Sequence, residues 1–195
     1  MNSSFSFLHS KKVFLSKLDK SKKGSIDKKI EDLCKKINKL KNYYTTSSCS
    51  GRIVIIKIGK KKNEYRWLYI SHSKITKIEF DKIEKLYTNI WDDKNLLNTC
   101  WIRFEPAILH VSCESIDDAQ KLLDLARNTG FKLSGIISAK KNVVEIRASE
   151  RLDIPLSVVL DVFALDTAIA EANRKLDETH TKIKKLTTKL SSLRK

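Results

Sequence analysis

Residues 53–71, with the sequence IVIIKIGKKKNEYRWLYIS, decide the fold because they place a polar turn between two apolar runs. The runs 53–58 and 65–71 each predict a strand, since β-branched and aromatic residues dominate both. The segment between them contains Gly59 and three lysines, a composition typical of a turn. The stretch therefore predicts a β-hairpin.

A similar arrangement recurs in the second half of the chain. Residues 134–139 and 143–148 predict a second hairpin around the turn Lys140-Lys141-Asn142. A predicted helix and a Ser-Gly pair precede the first strand of each hairpin, with Ser50-Gly51 in the first copy and Ser134-Gly135 in the second. This echo suggests an internal duplication, which would place the two Ser-Gly loops near one another.

Helices are expected outside these strands. Apolar residues recur at steps of three and four over 26–40 and again over 119–126, so each segment has one apolar helical face. Residues 79–90 predict a further helix. From Leu156 the pattern is helical almost to the end of the chain, and its apolar seam would serve either a coiled coil or packing along the body of the domain.

Two more strands are expected at 101–104 and 107–113, interrupted at Pro106. The whole pattern predicts an α+β fold, in which a mixed, mostly antiparallel sheet is built from two hairpin units with outer helices and a long C-terminal helix. The sequence contains no G-x-G-x-x-G motif, P-loop or H-E-x-x-H motif. A Rossmann fold, NTP hydrolysis and zincin chemistry are therefore not indicated.

The charge of the chain is large and unevenly distributed. The formal net charge is +16, and residues 1–80 hold 20 Lys and Arg against 6 Asp and Glu, whereas residues 81–165 hold 11 against 13. This asymmetry is typical of a polyanion-binding face, although general Lys enrichment at exposed sites is the alternative. No apolar stretch reaches the roughly 18 residues of a membrane span, and the N-terminus lacks the pattern of a signal peptide. We therefore expect a cytoplasmic protein.

Two polar clusters lie in the first quarter of the chain. The segment 43–52, YYTTSSCSGR, is rich in hydroxyl side chains. We expect a loop here, in which backbone N–H groups converge on an anion and Arg52 adds a bidentate contact. The alternative is a loop that only caps the following strand. The segment 17–27 would place Asp19, Lys23 and Asp27 at the rim of a site, or would serve only as a connector between helices.

His110 is the central candidate of a third cluster, residues 104–111. Alternation along a strand puts Leu109 and Val111 on one face and His110 on the other. A histidine there could accept a proton near neutral pH or bond to a ligand, although a lone strand histidine is more often structural. Glu105 could hold ribose hydroxyls or a cation.

In this order the clusters resemble the wybutosine-synthesis methyltransferases, the enzymes of the third named step of wybutosine formation on phenylalanine tRNA. The resemblance spans roughly residues 14–190, and we expect one domain over residues 1–195. Two positions depart from the family pattern, since Lys140-Lys141-Asn142 stands where Gly is frequent and Ala148 where Ser is expected. The matching positions are Lys17, Asp19, Ser21, Lys23, Gly24, Asp27, 45–53, Trp67, Ser71, His72, Phe104, Leu109, His110, Val111, Gly130, Phe131, 134–136, Pro155, Leu156 and Asn173.

The resemblance implies methyl transfer from S-adenosylmethionine to N4 of a tricyclic guanine derivative just 3′ of the anticodon of phenylalanine tRNA. Such a reaction needs a base that leaves the stack and a well-placed methyl donor. We expect neither a membrane nor a metal ion as a partner. The alternatives are a noncatalytic RNA-binding module of the same fold and a scaffold that dimerises through the C-terminal seam.

The resemblance also implies roles for individual residues. The candidate catalytic residues are His110 and Asp27, with His72 a weaker candidate. The candidate cofactor-binding residues are Ser47, Ser48, Ser50, Gly51, Arg52, Glu105, Ser134 and Gly135. The candidate RNA-binding residues are Lys22, Lys23, Lys28, Lys60, Lys61 and Lys62.

Overall fold

The structure, a computed structural model, describes residues 3–16, 26–59, 61 and 64–194. The chain divides into two units, each assembled from separated stretches of sequence. Neither unit is therefore a continuous stretch of the chain. Unit 1 comprises Met1–Ser50, Ala107–Ser149 and Thr179–Lys195, and unit 2 comprises Gly51–Pro106 and Glu150–Glu178.

The described residues form six α-helices and eight β-strands. The helices are α1 (Ser3–Leu15), α2 (Lys28–Lys39), α3 (Lys77–Trp91), α4 (Lys94–Leu97), α5 (Ile116–Asn128) and α6 (Val162–Lys189). The strands are β1 (Tyr43–Cys49), β2 (Arg52–Ile58), β3 (Tyr65–Ser71), β4 (Cys100–Glu105), β5 (Ile108–Cys113), β6 (Gly135–Ser138), β7 (Val143–Arg147) and β8 (Leu152–Pro155). Among these described elements no helix is long and apolar enough to cross a lipid bilayer.

Unit 1 is built on a four-stranded antiparallel sheet with the strand order β1-β5-β7-β6. Its core joins one face of this sheet to the apolar stripes of α2, α5 and the end of α6. Core residues from these elements that are fully buried include Ile37, Val111, Leu122, Ile146 and Leu186. The apolar periodicity predicted over 26–40 and 119–126 therefore marks the helix faces that cover the sheet.

Unit 2 is built on a second four-stranded antiparallel sheet with the order β3-β2-β4-β8. Helix α3 and the first part of α6 share its core, in which Ile55, Ile83, Phe104 and Leu176 are at most 2% exposed. A capping box formed by Thr76 and Glu79 starts α3. The unit therefore has its own apolar core, separate from that of unit 1.

The predicted fold class is confirmed. Strands β2 and β3 form the first hairpin, β6 and β7 form the second, and a long helix occupies the C-terminal region. The structure adds that the strands form two sheets, because β4 and β5 join different sheets although only Pro106 and Ala107 separate them. The apolar seam of α6 is used for packing within the chain, since Ile183 and Leu186 of α6 and Leu190 just after it lie in the core of unit 1.

The loop predicted over 43–52 is wrong for most of its length. Residues Tyr43–Cys49 form strand β1, which pairs with β5 from Tyr43 opposite Cys113 to Cys49 opposite Ile108. Tyr43 and Thr45 are buried on alternate positions, as expected of β-branched and aromatic residues on a pleated surface. The backbone of β1 is thus engaged in the sheet and is not arranged as an anion-binding loop.

The predicted proximity of the two Ser-Gly loops is also wrong. Ser50 directly follows β1 and Ser134 directly precedes β6, and these strands are the opposite edges of the sheet of unit 1. Strands β5 and β7 lie between them, so the loops are three strand spacings apart, roughly 14 Å. The repeated sequence pattern therefore does not place the two Ser-Gly loops near one another.

The buried thiols yield a prediction about reactivity. Burial raises the pKa of Cys34 to about 11 and that of Cys113 to about 12. Both thiols therefore stay protonated at about pH 8, and the thiolate is the species that reacts with alkylating agents. We expect iodoacetamide to leave both residues unmodified in the folded protein and to modify both in denaturant, as measured by peptide mass spectrometry. Rapid alkylation of either residue in the native protein would contradict their burial.

Candidate functional site

A row of polar residues crosses the sheet of unit 1 on the face opposite its core. Ser47 of β1 lies opposite His110 of β5, and His110 lies opposite Glu145 of β7. The Ser47 Oγ is 2.7 Å from His110 Nδ1, and the His110 Nε2 is 3.0 Å from Glu145 Oε2. Gly135 of β6 ends the row opposite Glu145. The sheet register thus aligns three predicted site residues and Glu145 in one row across four strands, and His110 contacts both Ser47 and Glu145.

The hydrogen bonds of this row assign a tautomer to the neutral His110 ring. A carboxylate only accepts hydrogen bonds, so the Nε2–H donates to Glu145 and the lone pair of the ring lies on Nδ1. The Ser47 hydroxyl donates to that lone pair. About a quarter of the His110 side chain, 28%, is exposed. The ring is therefore held as a proton acceptor that solvent or a ligand can reach.

A β-bulge aligns Ser47 with His110. The register between β1 and β5 shifts between Thr45 and Ser47, so that Thr46 is an extra residue on β1. The Thr45 backbone N–H donates to Asn38 Oδ1 of α2 at 2.8 Å. The Thr46 hydroxyl donates to the His110 carbonyl at 3.3 Å. Ser48 faces the opposite way, toward the Cys34 thiol, with which it is hydrogen-bonded.

Asp27 and Ser50 also meet in unit 1. Asp27 is the N-cap residue of α2, and its Oδ2 accepts hydrogen bonds from the Ser50 backbone N–H at 3.1 Å and from the Ser50 hydroxyl at 3.2 Å. Asp27 is 6% exposed and Ser50 is fully buried. The carboxylate therefore connects the start of α2 to the end of β1, which is a structural role.

Arg52 and Glu105 form an ion pair in unit 2. They lie opposite each other on β2 and β4, and the Arg52 Nε donates to Glu105 Oε2. The Arg52 guanidinium also lies 4.0 Å from the centroid of the Trp67 ring, within the range of a cation–π contact. Gly51, just before β2, has a φ of +94°, which a residue with a side chain rarely adopts, and its carbonyl accepts a hydrogen bond from His72 Nδ1.

Ser134 and Gly135 differ in their surroundings. The Ser134 hydroxyl donates to the Phe131 carbonyl at 2.7 Å and accepts from the Arg147 backbone N–H at 3.0 Å, and the residue is 3% exposed. At Gly135, by contrast, an added Cβ would meet no heavy atom within 4 Å. Ser134 thus shapes the turn before β6, whereas Gly135 leaves open space beside the polar row.

The predicted RNA-binding lysines are only partly described by the structure. Lys28 is exposed in the first turn of α2, and Lys61 is exposed between β2 and β3. Lys22, Lys23, Lys60 and Lys62 lie outside the described residues.

Sequence reasoning missed Glu145. Its only local signal is a single acidic residue at the centre of VVEIR, an otherwise apolar strand, and the pairing with His110 spans 35 residues.

Comparisons with known proteins agree with the resemblance seen in the sequence. Residues 9–192 match the family described as "Methyltransferase TYW3". The chain is 40% identical to the "tRNA(Phe) 7-((3-amino-3-carboxypropyl)-4-demethylwyosine(37)-N(4))-methyltransferase" of Thermococcus sibiricus, covering 96% of this chain and 95% of that protein. It is 32% identical to the human "tRNA wybutosine-synthesizing protein 3 homolog", covering 95% of this chain and 72% of that protein.

A solved structure has the same fold. The PH1069 protein from Pyrococcus horikoshii superposes with a TM-score of 0.77 at 29% sequence identity, over 98% of this chain and 93% of that one. The family match covers most of the chain, and the relatives above are at least 30% identical over nearly all of it. The chain therefore belongs to the TYW3 methyltransferase family.

Proposed function

We propose that this chain transfers a methyl group to N4 of 7-(3-amino-3-carboxypropyl)-4-demethylwyosine at position 37 of phenylalanine tRNA. Archaeal relatives named for this activity are 40% and 35% identical to the chain and cover 96% and 99% of it. S-adenosylmethionine as the methyl donor, the anticodon loop as the part of the tRNA that binds, and the cytoplasm as the location belong to the same proposal.

The hydrogen-bonded row of Ser47, His110 and Glu145 is the observation that carries the chemistry. When bound, S-adenosylmethionine supplies an electrophilic methyl group, and the ring nitrogen that receives it sheds its proton. His110 accepts this proton at Nδ1, because its Nε2–H is held by Glu145. The Ser47 hydroxyl either passes the proton to Nδ1 or gives way to the substrate. The Glu145 carboxylate then stabilises the charged imidazolium.

Asp27 is the second proposed catalytic residue. The residues proposed to hold the cofactor have side chains that suit the charged and polar groups of S-adenosylmethionine. The Arg52 guanidinium suits a carboxylate, and the Glu105 carboxylate can accept hydrogen bonds from ribose hydroxyls. Gly135 leaves space for a ligand atom, and Ser134 shapes the turn before it. The other proposed cofactor-binding residues are Ser47, Ser48, Ser50 and Gly51.

The proposed phosphate contacts come from lysines, whose effect is electrostatic and depends on salt. These residues are Lys22, Lys23, Lys28, Lys60, Lys61 and Lys62.

Glu145→Gln is expected to reduce kcat by about tenfold or more while the KM for tRNA changes little. The amide cannot stabilise an imidazolium as a carboxylate does, and its NH₂ group can turn toward Nε2 and select the other tautomer. The ¹⁵N NMR spectrum of the His110 ring should show proton occupancy at Nε2 in the wild type and a changed pattern in the variant. A wild-type kcat together with an unchanged ring spectrum would remove Glu145 from the mechanism.

Methyl transfer itself tests the proposed function. The protein is incubated with S-adenosylmethionine and phenylalanine tRNA that carries the demethylated tricyclic base. The tRNA is then digested to nucleosides, and the mass of the modified nucleoside is determined by mass spectrometry. We expect a gain of one methyl group that requires the methyl donor. The matched control is the same tRNA with unmodified guanosine at position 37, which should gain no methyl group. Tight binding of the modified tRNA without methyl transfer would instead indicate a noncatalytic RNA-binding module.

A further inference from the structure

The sheet of unit 2 has a second face, opposite its apolar core, that carries two arginine–tryptophan pairs. We call this surface the arginine–tryptophan face and define it by Arg52, Trp67, Trp101, Arg103, Glu105 and Asp153. Sheet register places these residues on one side, because Arg52 pairs with Glu105, Ile56 pairs with both tryptophans, and Arg103 pairs with Asp153. Ile55, Ile102 and Phe104 alternate with them and point into the core.

The aromatic rings and the guanidinium groups of this face lie within the range of cation–π contacts. The Arg52 guanidinium lies 4.0 Å from the Trp67 ring centroid, and the Arg103 guanidinium lies 5.5 Å from that of Trp101. The Tyr65 ring lies 6.1 Å from Trp67 and is 57% exposed. Aromatic rings and guanidinium planes on a β-sheet are the surfaces on which proteins stack unpaired nucleobases.

Opposite charges alternate next to the rings. Arg52 is paired with Glu105, and Asp153 is approached by both Arg103 and Arg151. The Arg103 Nε and the Asp153 Oδ1 are 2.7 Å apart but are not aligned for a hydrogen bond, and both are buried atoms with no hydrogen-bond partner among the described residues. Arg103 and Asp153 thus form an ion pair without an aligned hydrogen bond between these two atoms, and each side chain is still 24% exposed.

We infer that the arginine–tryptophan face binds a ligand that combines a flat nucleobase with a 3-amino-3-carboxypropyl group. The rings and guanidinium planes stack the base, an arginine takes the carboxylate, and an acidic side chain takes the ammonium group. This inference rests on the proposed function, because that function supplies two molecules with this chemistry. One is the tricyclic base of the tRNA, and the other is the nucleoside cofactor, whose methionine part carries the same group.

The three tryptophans of the chain allow a direct optical test. Trp91 lies on α3 against Tyr87, and α3 packs on the core face of the sheet, opposite the arginine–tryptophan face. Trp91→Phe leaves Trp67 and Trp101 as the only tryptophan fluorophores. The matched control, Trp67→Phe with Trp101→Phe, leaves Trp91 alone and keeps aromatic rings for stacking. A ligand on the face should quench the first protein in a saturable manner and leave the second unchanged.

Two arms of the experiment distinguish the two sources of the ligand. The first compares S-adenosylhomocysteine with adenosine, which lacks the amino-carboxypropyl group. The second compares anticodon stem-loops whose tricyclic base carries or lacks that group, with no cofactor present. Saturable quenching in the first arm assigns the face to the cofactor, and quenching in the second arm alone assigns it to the tRNA base. Quenching in neither arm, or equal affinity with and without the amino-carboxypropyl group, overturns the inference.

Substitution of Trp67 measures how much this ring contributes to the affinity for the ligand. Trp67→Ala is expected to weaken binding of the effective ligand by about 5- to 150-fold, the loss for one base–aromatic stack, whereas Trp91→Ala should leave the affinity unchanged. The methyl-transfer assay is run separately on the same proteins. If Trp67→Ala binds the ligand as tightly as the wild type and also methylates at the wild-type rate, this inference is wrong and the proposed function is unaffected. If the ligand quenches the fluorescence but the wild-type protein transfers no methyl group, the proposed function is wrong and this inference is unaffected.

Discussion

His110→Ala is expected to slow methyl transfer by about 100- to 10,000-fold, the range in which a positioned general base contributes. The variant loses the Nδ1 lone pair that Ser47 and Glu145 hold in place on the polar row of unit 1. The rate is measured in a single turnover, with saturating S-adenosylmethionine and modified phenylalanine tRNA, so that product release does not hide the effect.

The control for this experiment is Ser112→Ala, which removes another polar group from the same strand and the same face. We expect it to retain the wild-type rate. Thermal unfolding of both variants should stay close to the wild type, because His110 lies outside the apolar core. A normal rate for His110→Ala would show that the proton acceptor lies elsewhere, whereas a large loss of stability would make His110 a structural residue.

Leu186→Asp is expected to destabilise unit 1 severely. Leu186 is completely buried in the core that α6 shares with the sheet, so the variant loses apolar burial and places a carboxylate among apolar side chains. We expect the free energy of unfolding to fall by at least about 4 kcal/mol, which is the exceptional end of single-residue effects. Urea denaturation followed by circular dichroism measures this loss.

Lys185→Asp is the matched control, because Lys185 is exposed on the same turn of α6. It changes the charge more than Leu186→Asp does, yet it should change the free energy of unfolding by less than about 0.5 kcal/mol. A dimerisation seam would behave differently. Leu186→Asp would then remain folded and would only lower the mass measured by sedimentation, and that result would contradict the packing of α6 in the core.

The local pattern of the sequence determined the individual elements of this protein. The hairpin strands over 53–71 and 134–148 were predictable because β-branched residues and a lysine-rich turn are neighbours in the chain. The apolar steps of α2 and α5 identified their buried faces, and alternation along β5 put Val111 in the core and His110 on the opposite face. The order of the polar clusters also indicated the family, which the comparisons confirm.

The tertiary structure alone decided which strands become neighbours. Tyr43–Cys49 is a strand because β5 is available to pair with it, and β4 and β5 join different sheets although two residues separate them. The partnership of His110 with Glu145, and that of Arg103 with Asp153, follow from strand register across 35 and 50 residues of chain. Pairing between distant strands depends on the packing of the whole sheet, whereas turns and helical faces depend on neighbours a few residues away, so only the latter are readable from the sequence.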